Sequence, residues 1–184
     1  MMGIVRAMRD MSQSRTEQID MDLNQAIQST ITITTSEWRP VAEVRTDLDA
    51  SLPLLRCAPG EVSLVILNLV LNCAQGIAAA NRTGIGGKGV ITVTTRLVSD
   101  WVEIRIGGTG RSLTREEREA MFRVGVAAGA DSHGESMALA HEVIVTKHHG
   151  TIAVESGSDS GQGLVFVIRL PMERGVAHSA HVAA

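Results

Sequence analysis

Asn68 and Asn72 are the residues from which chemistry can first be argued. They stand four apart in Glu61 to Ile77, EVSLVILNLVLNCAQGI, an apolar run with helical spacing, so both carboxamides leave one helix face a turn apart. Leu64, Leu67, Leu71 and Ala74 form a neighbouring stripe, and Val65, Ile66, Leu69 and Val70 make most of the remaining surface apolar. Such a helix is buried nearly all round. A carboxamide buried there without a partner costs roughly 1–3 kcal/mol. Each asparagine therefore needs a ligand, a backbone group or an ordered water.

The other reactive side chains carry weaker signals. Cys57 and Cys73 lie in apolar surroundings without metal-type spacing and read as buried free thiols. His148-His149 at a helix end complements the helix dipole, and His141 reads as an ordinary helix residue. Asp and Glu (20) outnumber Lys and Arg (17) and no basic block stands out, which argues against a nucleic-acid binder. Aromatics at 2% leave little for base stacking, so the core must be built from Val, Ile, Leu, Met and Ala. The longest apolar run, interrupted by Asn68, reads as too short to cross a bilayer, and no signal peptide is visible. The expected location is cytoplasmic, with room for a membrane anchor in a longer parent protein.

These residues must be positioned by a single domain, given 184 residues at 44% hydrophobic. Met1 to about Ser14 reads as a short amphipathic helix, followed by a polar linker to Asp20. The domain proper is expected over residues 21–172, with a disordered tail over 173–184. Asp22, with Gln25 three residues on, opens a helix whose end is ambiguous, because Thr30 to Thr35, TITITT, alternates like a strand. Strands are expected at Val41 to Asp47, at Leu52 to Cys57 on a sheet edge, and in a hairpin of Val90 to Leu97 with Trp101 to Ile106. Thr114 to Phe122 reads as a helix, Arg123 to Glu135 as a mobile loop and Ser136 to His149 as another helix. Thr151 to Glu155 and Leu164 to Leu170 complete the strands. The pattern predicts an α/β two-layer sandwich, a mixed and mostly antiparallel sheet with helices on one face.

Asn68-Leu69-Val70-Leu71-Asn72-Cys73-Ala74 resembles the N box, approximately NLxxNAxxA, of the ATP-binding domain of sensor histidine kinases, members of the GHKL superfamily with a Bergerat-type fold. Thr151 to Ser156, Gly161 to Pro171 and the helix Met137 to Val145 are similar to the corresponding segments of that family. The resemblance implies that ATP binds with Mg²⁺, and that Asn72, with Asn68 beside it, holds the metal. Mg²⁺ prefers oxygen ligands and takes one or two from protein, the rest from phosphates and water. Gly108, Gly110 and Gly134 fall in the two glycine boxes that line the nucleotide, and Arg123 to Glu135 would be the lid. Without that pattern, Gly110 and Gly134 would pass as turn glycines, and Arg111 and Arg123 as solvated side chains.

The boxes depart from the family. Gly108 stands where an aspartate accepts the adenine amino group, Ser112 and Ser136 replace glycines, and Leu164 replaces a Ser or Thr of the adenine pocket. Losing a charged acceptor there is worth roughly 1.5–3 kcal/mol, one to two decades of affinity. Strained phosphate loops and the charge of Glu135 push the same way, so a micromolar site could fall to about millimolar.

The implied function is transfer of the ATP γ-phosphoryl group to a histidine on another segment, since the N-terminal helix contains none, with efficiency impaired by the altered glycine boxes. The implied partners are a response regulator and an upstream dimerisation or sensor segment, with a homodimer through the first helix. The alternative is a degenerate, pseudokinase-like module acting by protein binding without turnover. A relative of the gyrase, chaperone or mismatch-repair ATPases is a third reading, which ATP-driven dimerisation would favour.

Overall fold

The computed structural model describes residues 17–82, 87–110, 114–116, 118, 132–156 and 163–172, with only the backbone described at 132–136. The expected first helix, the tail and most of the expected lid lie outside these residues. Of the expected helix Thr114 to Phe122, residues 115, 116 and 118 are described and helical.

The chain enters through β1 (Ile19–Met21), inside the stretch expected to be linker. This strand pairs antiparallel with β3 (Leu55–Cys57) in a separate two-stranded sheet. The strand expected over Leu52 to Cys57 is therefore shorter than its apolar pattern and does not edge the main sheet; Pro53, lacking an N–H, stays outside it.

Between them, α1 (Leu23–Ile33) starts as its cap predicts: the Asp22 carboxylate accepts the Gln25 N–H at 3.0 Å. The ambiguous threonine run is helical. The hydroxyls of Thr30 and Thr34 donate to the carbonyls of Ala26 and Thr30, four residues back, at 2.8 and 2.9 Å. Both threonines are buried, so tertiary packing overrides their β-propensity. A single turn, α2 (Thr35–Trp38), follows, and the Trp38 indole donates to the Ile31 carbonyl at 3.1 Å.

The main sheet contains β2 (Ala42–Leu48), β4 (Gly89–Val98), β5 (Trp101–Gly108), β6 (Thr151–Ser156) and β7 (Leu164–Pro171), in the order β2-β4-β5-β7-β6. Only the β2–β4 pair is parallel. The expected β4–β5 hairpin turns at Ser99, whose φ of 56° is left-handed. Alternate residues of these strands, including Ile91, Val93, Ile104, Ile106, Phe166 and Ile168, are fully buried in the core. Against them packs the central helix α3 (Pro59–Arg82), contributing Val62, Val65, Ile66, Leu69, Val70 and Ile77. On the alternate set of sheet residues, Glu103 pairs with Arg169 at 2.8 Å and with Arg105 at 3.5 Å, and Arg105 pairs with Glu155 at 2.6 Å. The architecture is the expected two-layer α/β sandwich.

Two expectations about helices change. At 24 residues α3 is long and apolar enough to cross a membrane by length and composition, contrary to the reading of its sequence. Its apolar character is accounted for here by burial against the sheet. The second change is at α4 (Ser132–His141), which begins inside the expected loop and absorbs 132–135. Met137 and Ala140, three apart and buried, anchor this helix on the core. It continues into a π-helical segment, Glu142–Lys147. The run ends at Lys147, His149 turns the chain at a left-handed φ of 52°, and Gly150 passes so close to β7 that a Cβ there would lie 2.4 Å from the Arg169 carbonyl oxygen.

Candidate functional site

The site is built along α3. Its first half is buried almost without interruption, and exposure begins just beyond Val70. Asn68, at 4% exposure, belongs to the buried half, whereas Asn72, one turn on, is partly exposed. Of the two asparagines, only Asn72 is placed to offer a carboxamide oxygen at the surface of the layer. Among the described residues no group of three or more His, Cys, Asp and Glu could hold a metal ion. A magnesium ion here would take its protein oxygen from Asn72 and the rest from phosphate and water, a donor set the ion accepts.

The residue after Asn72 meets the end of β5. A Cβ built on Gly108 would lie 3.0 Å from the Cys73 Cβ, 3.4 Å from its Sγ and 3.5 Å from its Cα. Carbon atoms in good contact sit at roughly 3.5–4.0 Å, so helix and strand approach here as closely as a missing side chain allows. Gly108 is also directly opposite Leu164, the first residue of β7. Gly163, at φ 127°, presses from the same side: a Cβ on it would fall 2.6 Å from the Gly108 carbonyl oxygen. Burial pushes the Cys73 thiol up to about 12, so it is an uncharged, apolar wall.

Beyond β5 the chain follows α3 for a further turn. Gly110 lies on the helix backbone at Gly76 and Ile77, where its Cβ would sit 3.4–3.5 Å from their main-chain atoms. Thr109 pins this segment to β4: its N–H donates to the Val90 carbonyl at 3.0 Å, and its hydroxyl accepts the Val90 N–H at 2.8 Å. Asn72, Gly108 and Gly110 are thus gathered along one stretch of α3. Gly134 is placed differently from its expected loop. It sits in helical backbone in the first turn of α4, a helix packed against α3. Arg111, Ser112 and Arg123 lie outside the described residues.

His148 corrects its expected role at a helix dipole. It is buried, its Nε2 accepts the Ala58 N–H at 3.0 Å, and its Nδ1 lies 2.7 Å from the Val143 carbonyl. Because the Ala58 N–H can only donate and the Val143 carbonyl can only accept, the proton is assigned to Nδ1. Ala58 in turn accepts the first helical N–H groups of α3, from Glu61 and Val62, both at 3.1 Å. The imidazole therefore holds the start of the helix that carries Asn72. Beside it, Lys147 pairs at 2.6 Å with Glu61, which is buried in the first turn of α3. His149 and His141 are exposed, and the two cysteines are buried and free. Sequence reasoning missed the meeting of Cys73 with Gly108; the one local signal was a thiol where the N-box pattern has alanine.

Residues 58–174 match the model of the histidine kinase-, DNA gyrase B- and HSP90-like ATPases. The chain belongs to this ATPase family. Within the family its sequence relatives are sensor histidine kinases. It is 29% identical over 153 residues to the sensor histidine kinase ZraS of Escherichia coli K12, covering 83% of this chain and 30% of that protein. It is 31% identical over 141 residues to the adaptive-response sensory kinase SasA of Synechococcus elongatus, covering 74% and 34%. The chain thus spans about a third of the length of the curated relatives it matches. Among solved structures, the catalytic domain of histidine kinase ThkA superposes with a TM-score of 0.71 at 19% identity, over 85% of this chain and 96% of that one. ThkA in complex with the response regulator TrrA gives 0.68 at 20% identity, over 85% and 42%. These structures share the fold of this ATPase domain, which is of the histidine-kinase catalytic type. Nucleotide binding in this family implies ATP, usually with Mg²⁺. Such a metal would find the partly exposed carboxamide of Asn72 on this helix, and Gly108 has no side chain that could accept a hydrogen bond from a bound base.

Proposed function

We propose that this chain is the catalytic and ATP-binding domain of a two-component sensor histidine kinase whose nucleotide affinity is weakened at the base. The partly exposed Asn72, adjacent in sequence to the apolar contact of Cys73 with Gly108, carries the reading. It leaves an oxygen donor for the metal-phosphate end of a nucleotide and removes the acceptor for its base. Bound Mg²⁺ would supply charge neutralisation at the phosphates. The residues of this chain contribute the oxygen of Asn72, its support from the buried turn at Asn68, and the closely packed glycine backbone at Gly110 and Gly76. The phosphoryl acceptor is a histidine on another segment, and a response regulator is the downstream partner, as the complex of ThkA with TrrA illustrates for that protein.

A second reading is favoured by the same apolar contact: a kinase-fold module that binds partner proteins without turnover. Calorimetric titration of ATP with and without Mg²⁺ separates them. The expected result is Mg-dependent binding between about 0.1 and 1 mM, weakened at least tenfold by Asn72→Ala. Micromolar affinity would overturn the impairment, and binding indifferent to both Mg²⁺ and Asn72 would overturn the metal assignment. No binding at all would leave the protein-binding module.

A further inference from the structure

Three of the departures from the family meet at one point in the fold. Gly108, where an acidic side chain is expected, ends β5; Leu164, where a hydroxyl is expected, is its partner in β7; Cys73, where alanine is expected, covers it from α3. None of these contacts is local in sequence. The glycine is not simply a deleted side chain that leaves a hole. The nearest atoms to an added Cβ are the Cβ, Sγ and Cα of Cys73, a buried position in mid-helix, and of these the Cβ and Cα move only with the helix. A side chain added at 108 would therefore press on α3 at Cys73.

We propose that Cys73 and Gly108 form a size-exchanged pair that closes the base subsite, so that an aspartate restored at 108 cannot recover adenine recognition while Cys73 is present. The inference rests on the nucleotide-site reading above. Its physical content is a coupling between two positions 35 residues apart in the numbering. Cys73→Ala removes the Sγ that already stands in contact with the new Cβ at 3.4 Å; the tighter Cβ contact at 3.0 Å is kept by alanine and asks for a helix shift of a few tenths of an ångström in both backgrounds. With the thiol present, the carboxylate must displace the helix further or point elsewhere.

The test uses the full chain as four proteins: unaltered, Gly108→Asp, Cys73→Ala and the double variant. Each is measured for thermal stability and for Mg-dependent affinity for ATP and for inosine triphosphate, which carries oxygen in place of the adenine amino group. The expected result is that Gly108→Asp lowers the melting temperature more when Cys73 is present than when it is introduced together with Cys73→Ala. The unaltered chain and Gly108→Asp bind the two nucleotides within about twofold of each other, and the double variant prefers ATP at least tenfold. Equal stability losses in both backgrounds overturn the proposal, as does full ATP preference in Gly108→Asp alone. Where Gly108→Asp does not fold, Gly108→Ala in the same two backgrounds reads the coupling. If no protein binds either nucleotide, the nucleotide-site reading falls and the specificity claim with it. That outcome differs from failure of the pair itself, which is binding without coupling.

Discussion

Replacing His148 by leucine tests the least local contact that supports the site. The side chain joins two elements far apart along the chain: the π-helical segment through the Val143 carbonyl, and the start of α3 through the Ala58 N–H. Leucine has a similar volume, so the cavity contribution is small. What is lost is the partner of the buried Ala58 N–H, worth roughly 1–3 kcal/mol when left unsatisfied, whereas the Val143 carbonyl still accepts the backbone N–H of residue 148 at 3.2 Å. We expect about 2 kcal/mol in total, against the 5–15 kcal/mol typical of a whole domain. With a urea slope of about 2 kcal/mol/M, the unfolding midpoint should fall by about 1 M, measured by circular dichroism. His149→Asn is the control, since that neighbour is exposed at φ 52°, a conformation asparagine tolerates, and it should shift the midpoint by less than about 0.3 M. If His148→Leu moved the midpoint no further than this control, the reasoning would be refuted.

Two other outcomes follow from the same neighbourhood. Lys147→Met leaves the buried Glu61 carboxylate without the ammonium 2.6 Å away, and should cost about 1–2 kcal/mol in urea unfolding, less than a fully buried pair because Lys147 is 40% exposed. Adding Glu61→Gln should recover part of that loss, and a double variant as unstable as the sum of both singles would argue against a pair. The thiols of Cys57 and Cys73 are both raised by burial from 9.0 to about 12, so the folded state favours their protonated forms. Their contribution to stability is fully present below about pH 9 and is lost as the pH rises from there towards 12. Unfolding midpoints taken from pH 8 to 11 should fall over that interval, and fall less in Cys57→Ala. A flat profile would show that neither thiol is held neutral by the fold.

Much of this architecture was legible because it is written in local periodicity. The apolar run of α3, the alternation of β4, β5 and β7, the Asp22 cap and the Ser99 turn are each decided by residues within a few positions of one another. The family pattern added Asn72 and marked Gly108 as a departure. Where local signals tied, as in Thr30 to Thr35, the decision came from hydroxyls bonding back along the helix and from burial of Thr30 and Thr34, neither visible in a β-branched alternation. Small residues around Gly134 read as a loop for the same reason, until Met137 and Ala140 found a core to anchor the helix.

Sequence by itself determined the class of fold and the long buried helix, since both follow from spacing and side-chain type, while Asn72 stood out on that helix through the family resemblance. Tertiary structure alone decided which side chains stand opposite one another. It set β3 on β1, gave His148 to Ala58, and closed Cys73 over Gly108. Those choices depend on the distance between a helix and a strand whose residues are far apart along the chain, and a missing Cβ changes that distance without changing any local pattern.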